Sequence, residues 1–179
     1  MRKLSLILLA LSFLFVGVNA QEETFFGKQF YVELAGPGLG VSANFDSRFK
    51  NKEAYGFGYR LGLGFAQYKS FSTADIYNSK TKTVYTIPLG INYVFGKSKS
   101  SHTFEVGVGA TILTKTISIA YDEDNNNVGE IGNFIGHFSF LYRRQPVNGG
   151  FTWRIGISPI IGTSGDLIPY GLVGFGYAF

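Results

Sequence analysis

Large apolar residues recur at every second position through most of this chain. The run Tyr55, Phe57, Tyr59, Leu61, Leu63 and Phe65 alternates with Gly56, Gly58, Arg60, Gly62, Gly64 and Ala66. A period of two is that of a β-strand, whose side chains point alternately to its two faces. One face here is oily and aromatic, and the other is small or charged. A soluble strand lays its oily face on a core and gives its polar face to water. Glycine covers a soluble surface poorly. The pattern therefore fits a membrane barrel strand, with its apolar side to lipid and its small or polar side to a crowded lumen.

Eight such strands are predicted, at approximately 28–36, 38–49, 55–68, 82–95, 101–116, 131–144, 150–161 and 167–179. A tilted membrane strand needs about 9–11 residues, which these segments supply. Outward faces are expected to carry Leu39, Val41, Ala43 and Phe45 on the second strand and Tyr85, Ile87, Leu89, Ile91, Tyr93 and Phe95 on the fourth. Segments 50–54, 96–100 and 145–149 are short polar turns, whereas 69–81 and 117–130 are long and read as outer loops. Gly36-Pro37-Gly38 and 162–166 are short for that side. Pro88 and Pro159 lie inside strand patterns, where each removes a ladder donor, so bulges or hydrogen-bond gaps are expected. An even strand number lets the first strand pair with the last, which closes the ring and leaves no edge facing lipid.

With both termini periplasmic, an aromatic falls at the periplasmic end of every strand: Phe30, Phe49, Tyr55, Phe95, Phe104, Tyr142, Phe151 and Phe179. These rings are read as an interfacial girdle. Phe65, Tyr85 and Phe134 make a sparser outer rim.

Composition adds a location. Arg2 and Lys3 followed by the apolar Leu4–Val16 and the small residues around Val18-Asn19-Ala20 have the form of a secretory signal, cleaved before Gln21. The apolar stretch is shorter than the roughly 20 residues of a spanning helix. There are no cysteines, which excludes disulfides, thiolate catalysis, cysteine-bound metals and a lipoprotein anchor. Without Arg2 and Lys3 the formal charge of +4 falls to +2, and nothing supports nucleic-acid binding. The reading is a cleaved signal peptide (1–20) and an all-β, closed eight-stranded antiparallel up-and-down transmembrane β-barrel (21–179).

Phe30-Tyr31-Val32-Glu33-Leu34-Ala35-Gly36-Pro37-Gly38, Ser42-Ala43-Asn44-Phe45, Arg48-Phe49, Gly58-Tyr59-Arg60-Leu61-Gly62, Ile87-Pro88-Leu89-Gly90-Ile91-Asn92-Tyr93 and Tyr177-Ala178-Phe179 run through nearly the whole mature chain. They resemble small outer-membrane β-barrel proteins of the OmpA/OmpX type, and above all uncharacterised barrels of Bacteroidetes-like bacteria. The resemblance implies the fold and the outer membrane of a Gram-negative bacterium, and no established activity. It also implies that the terminal aromatic, Phe179, is the signal read by the barrel-assembly machinery.

The candidate chemistry is inward. Glu33, Asp46, Arg48, Arg60, Glu105, His137, Arg143 and Arg154 share the lumen-facing parity. Charges in a narrow lumen are expected to pair, because an unpaired buried charge costs several kcal/mol. His137 and Ser139 lie two apart on that face. Lipid A deacylases are small barrels that use a histidine, a serine and an acid. Here no acid follows on the next strand, the only later carboxylate is Asp166, and the pair faces away from lipid. Asp122-Glu123-Asp124-Asn125-Asn126-Asn127 resembles the start of a calcium loop, but Asn127 replaces the glycine and Asn133 the glutamate it requires. Gly62-Leu63-Gly64 and Gly107-Val108-Gly109 sit mid-strand with no following helix and are not nucleotide fingerprints. Lys50, Lys52, Lys97, Lys99, Arg143 and Arg144 are expected at the periplasmic rim, within reach of anionic headgroups.

No catalytic residue, metal or cofactor is expected. The expectation is a monomeric barrel in contact with outer-membrane lipid, with a structural or surface-interaction role and a lumen filled by side chains. The alternative is a porin-like narrow channel for ions or small solutes. A soluble, lipocalin-like barrel is the structural rival.

Overall fold

The computed structural model describes residues 26–50, 53–72, 75–97, 100–115, 117–121, 127–162, 165 and 167–179. The signal peptide predicted at 1–20 lies outside them. The strands are β1 (Lys28–Ala35), β2 (Val41–Arg48), β3 (Gly56–Ser72), β4 (Asp75–Gly96), β5 (His102–Leu113), β6 (Ile117–Tyr121), β7 (Asn127–Ile131), β8 (Phe134–Arg144), β9 (Gly150–Ile157), β10 (Ile160–Ile161), β11 (Leu167–Ile168) and β12 (Gly171–Ala178). Every pairing in the barrel wall is antiparallel.

The ring runs β1-β2-β3-β4-β5-β8-β9-β12 and returns to β1, where Phe30 pairs with Tyr177 and Leu34 with Val173. The backbone of Phe179 extends this closure by donating to Lys28 O at 2.9 Å. Eight strands close the barrel, so no edge is left open. Within the barrel strands the predicted side-chain parity holds, with Leu39 the exception. Leu63 is 67% exposed on the outside, while Arg143 is 0% exposed on the inside.

The two prolines act through gaps that leave the register intact. Leu61 pairs with Leu89 and Gly64 with Thr86, while Gly62 and Leu63 have no ladder partner on β4 beside Ile87 and Pro88. Pro159 separates β9 from β10, yet Phe140↔Ile157 and His137↔Ile160 belong to one continuous register. Phe138 N donates to Pro159 O at 3.0 Å across this break, and Ser158 Oγ donates to Phe138 O at 2.7 Å. A missing N–H removes a rung without shifting its neighbours.

Three expectations need correction. Segments 69–81 and 117–130 are not plain loops: β3 and β4 continue past the barrel, with Lys69 paired to Thr81, and β6 pairs with β7. Segment 69–81 carries polar residues on both parities, so only the backbone ladder marks it as strand, whereas in β6 Ile117, Ile119 and Tyr121 alternate with Ser118 and Ala120 over just five residues. Leu39 does not face outward with Val41. The second barrel strand begins at Val41, and Leu39 is buried. The Gly36-Pro37-Gly38 connection is not an external loop. It is a 3-10 turn whose three residues are all buried, and it reaches across to β3, β4, β5 and β12.

Candidate functional site

The lumen is the candidate site, and it is filled in two different ways. Toward the rim that carries the termini of the barrel, the start of β1 and the end of β12, it holds charges. Asp46 sits between two arginines: Arg48 Nη2 donates to Asp46 Oδ1 at 2.6 Å, and Arg143 Nη2 donates to the same oxygen at 3.3 Å. Glu105 accepts from Arg143 at 2.8 Å, and Arg154 lies 3.6 Å away. Asn92 joins the two carboxylates, donating to Asp46 at 2.6 Å and Glu105 at 3.1 Å, while its oxygen accepts from Arg48 at 2.6 Å. Arg143 also donates to Gln145, which donates to Phe26 O at 2.6 Å. Gln29, with its amide oxygen turned inward, accepts from Arg143 and Arg154. The Arg154 guanidinium lies 3.7 Å above the centre of the Tyr31 ring. Guanidinium serves such a cluster well because its several donors can reach two carboxylates at once.

A second pair lies beside this cluster. Arg60 Nη2 and Glu33 Oε1 are 3.5 Å apart. Around it, Tyr31 Oη, Glu33 Oε2, Asn44 Oδ1, Arg60 Nε and Nη1, and His137 Nδ1 have no hydrogen-bond partner among the described residues.

Toward the opposite rim the lumen is apolar. Leu39, Val84, Leu113, Ile135 and Ile160 pack together, with Ala66, Tyr68 and Ile168 against them. The Gly36–Gly38 turn sits beside this cluster and is fastened by three hydroxyls. Thr111 Oγ1 donates to Pro37 O at 2.9 Å, Thr86 Oγ1 to Gly38 O at 3.1 Å and Tyr170 Oη to Leu39 O at 2.6 Å. The chain turns inward through Ala35 (φ 62°), Gly36 (φ 61°) and Leu39 (φ 66°). At the two non-glycine positions this conformation costs on the order of 1–3 kcal/mol each, and the contacts just described offset it.

Glycines of the wall open space for these long side chains. A Cβ at Gly174 would stand 2.9 Å from Arg154 Cγ, one at Gly107 2.5 Å from Ser139 Oγ and one at Gly109 2.6 Å from His137 Nε2. The glycine-rich inner parity of the sequence is therefore the complement of its bulky polar residues.

All eight residues predicted for the lumen, Glu33, Asp46, Arg48, Arg60, Glu105, His137, Arg143 and Arg154, are buried there. Seven are joined by ion pairs, while among the described residues no salt bridge reaches His137. His137 and Ser139 are both buried, and no hydrogen bond joins them; Asp166 lies outside the described residues. Among the expected rim cations, Arg143 is instead fully inside the lumen. Lys50 is exposed 3.7 Å from Glu53, Lys97 is exposed, and Lys52 and Lys99 lie outside the described residues. The acidic stretch 122–126 also lies outside them. Sequence reasoning missed Asn92, Gln29 and Gln145 as members of the network, although their inward parity was readable.

The aromatic ends form a nearly continuous outer belt. Phe57, Tyr93, Phe95, Phe104, Tyr142 and Trp153 follow one another at centroid distances of 4.8, 6.4, 5.9, 5.8 and 5.2 Å. Phe179 stacks on Phe30 at 5.5 Å, and Phe30 meets Phe45 at 5.0 Å. Phe49 contacts Tyr59 at 5.8 Å, and Phe151 stacks on Phe175 at 6.3 Å. Tyr55 departs from a purely outward ring. Its hydroxyl donates to Lys97 O at 3.0 Å and Ser100 O at 2.8 Å, pinning the β4–β5 turn.

A closed eight-strand antiparallel ring, apolar outside and charged inside, defines a small barrel of the outer-membrane type. Among solved structures the chain is similar to the outer membrane protein Ail of Yersinia pestis, determined in a phospholipid bilayer nanodisc. The TM-score is 0.52 and the identity 9%, over 86% of this chain and 99% of that one. At this identity the likeness is one of fold. No protein-family model and no curated protein matches the chain.

Proposed function

We propose that this protein is an integral outer-membrane barrel of a Gram-negative bacterium, with a structural or surface-interaction role and a lumen closed to solutes. The observation that carries the reading is the inversion of the barrel. Phe57, Leu61, Leu63, Ile91, Val108, Phe140 and Ile155 stand exposed around its wall, while every arginine of the lumen is buried. Soluble monomers rarely expose apolar patches beyond a few hundred Å². This belt circles the whole wall, and lipid is the solvent that suits it. The lipocalin-like alternative would need these faces inward.

The closed lumen supports the structural or interaction role over the narrow channel. Ion pairs cross it at one level, and an apolar cluster with an inward turn crosses it at another. The β3–β4 hairpin and the β6–β7 hairpin on the side away from the termini supply the surface for interaction. The resemblance to barrels of Bacteroidetes-like bacteria and recognition of Phe179 by the assembly machinery belong to the same proposal. So do a monomeric state and the absence of enzymatic activity.

Gel mobility in mild detergent tests the location and fold together. The unboiled protein from the outer-membrane fraction is expected to migrate as a compact species and to shift on boiling. A soluble periplasmic protein with no shift would reject the proposal and return the lipocalin-like reading.

A further inference from the structure

The inward turn does more than shorten a loop. It covers polar groups that the rest of the lumen leaves without partners. A Cβ on Gly36 would stand 2.8 Å from Glu33 Oε1, and one on Gly38 would stand 2.6 Å from Ser42 Oγ. The turn thus rests directly on Glu33 and Ser42. Beside them lie Tyr31, Asn44, Arg60 and His137, all buried, with the unpartnered atoms named above. Buried polar atoms without partners are costly, and contact with water would relieve them. The turn is also the most strained backbone of the wall, since Ala35 and Leu39 hold positive φ without being glycine. Backbone bonds from Ala35 N to Gly40 O (2.6 Å) and from Leu39 N to Gly36 O (2.9 Å) shape the turn itself, and three side-chain hydroxyls, from Thr86, Thr111 and Tyr170, each tie one of its carbonyls to the wall.

We propose that the Gly36–Leu39 turn is a releasable lid over a polar chamber formed by Tyr31, Glu33, Ser42, Asn44, Arg60 and His137. The lid opens on the side away from the termini. This rests on the closed-barrel reading and adds to it a moving part. The Asp46–Glu105–Arg143–Arg154 cluster forms the chamber's floor and stays in place, so opening the lid hydrates the chamber without making a through-pore. Backbone strain and unpaired polar atoms favour release, while the hydroxyl clasps and the Leu39 contacts favour closure.

The absence of native cysteine allows a direct test. Ser42→Cys places a near-isosteric thiol beneath the lid, and Lys115→Cys places one at an exposed position on the opposite side of the lid. Each is exposed to a small charged thiosulfonate in the detergent-folded barrel. Ser42→Cys is expected to react more slowly than Lys115→Cys. Thr86→Val and Thr111→Val keep side-chain shape and remove the clasps. They are expected to accelerate labelling of Ser42→Cys by about fivefold for each hydroxyl lost. Should the double variant fail to fold, Tyr170→Phe tests the third clasp alone and carries the same expectation. Labelling of Ser42→Cys that is unchanged by clasp removal, whether at a negligible rate or at the Lys115→Cys rate, would overturn the lid. Gel shift on boiling is read in the same samples. Its loss in the parent would reject the barrel reading itself, whereas an intact shift with unchanged labelling would reject only the lid.

Discussion

The two ends of the lumen close the same ring with opposite chemistry. Near the termini, Arg48, Arg143 and Arg154 converge on Asp46 and Glu105, and Gln29, Asn92 and Gln145 add further hydrogen bonds, while Arg48 Nε and Arg154 Nη1 have no hydrogen-bond partner among the described residues. At the other end Leu39, Val84, Leu113, Ile135 and Ile160 pack into an apolar cluster. The charged end loses hydration for every ion it buries and recovers it only while each partner is in place. The apolar end gains by removing area from water and tolerates a change in any one member more gently. The barrel therefore combines a floor that is sensitive to charge with a cap that is sensitive to volume.

The largest effect is expected from breaking the floor. Arg143→Ala removes the one guanidinium shared by Asp46 and Glu105, leaving each with a single arginine, Arg48 or Arg154, and should destabilise the barrel by about 3 kcal/mol. The single tryptophan, Trp153, lies tilted against Tyr142 at 5.2 Å in the outer belt, so its fluorescence can follow unfolding in urea. Ile135→Ala in the apolar end should cost about 2–4 kcal/mol by transfer and cavity terms. If the two ends are independent, the double variant should show the sum of the two losses to within about 0.5 kcal/mol. A larger coupling would merge floor and cap into one unit.

The wall between them offers a finer comparison. Gly109→Ala drives a Cβ to 2.1 Å from Leu89 O and 2.6 Å from His137 Nε2, and should cost about 1–3 kcal/mol in the same urea titration. Gly136→Ala meets nothing nearer than Ile161 Cβ at 4.0 Å and should fall within about 0.5 kcal/mol of wild type. The smallest change is a gain. Ala35→Gly relieves a φ of 62° and should raise the urea midpoint by an amount equivalent to roughly 1 kcal/mol or less.

The floor was legible from sequence because charge and parity coincide there. Arg143 and Arg154 stand out on the inner face of strands whose other face is aromatic. Asn92 was harder to single out, since a neutral amide on that face carries no signal beyond its parity. The cap was hidden for two reasons. Val84, Leu113, Ile135 and Ile160 are apolar residues at inward positions, and the simple pattern of a membrane barrel keeps such residues outside. Leu39 shares the parity of Val41, and only the positive φ angles at Ala35, Gly36 and Leu39 reverse it. Alternation reports the faces of a strand and is silent about a turn that folds back through the ring. The hairpin extensions were missed because segment 69–81 carries polar residues on both parities. Its pairing rests on backbone hydrogen bonds that no side-chain pattern encodes.

The central claim is that floor and cap together close this membrane barrel. Current across a planar lipid bilayer containing the folded wild-type protein tests it most directly. The account predicts no steady current above that of the bare bilayer. Stable open-channel steps from the wild-type barrel would contradict it and establish a continuous path past both Arg143 and Leu39.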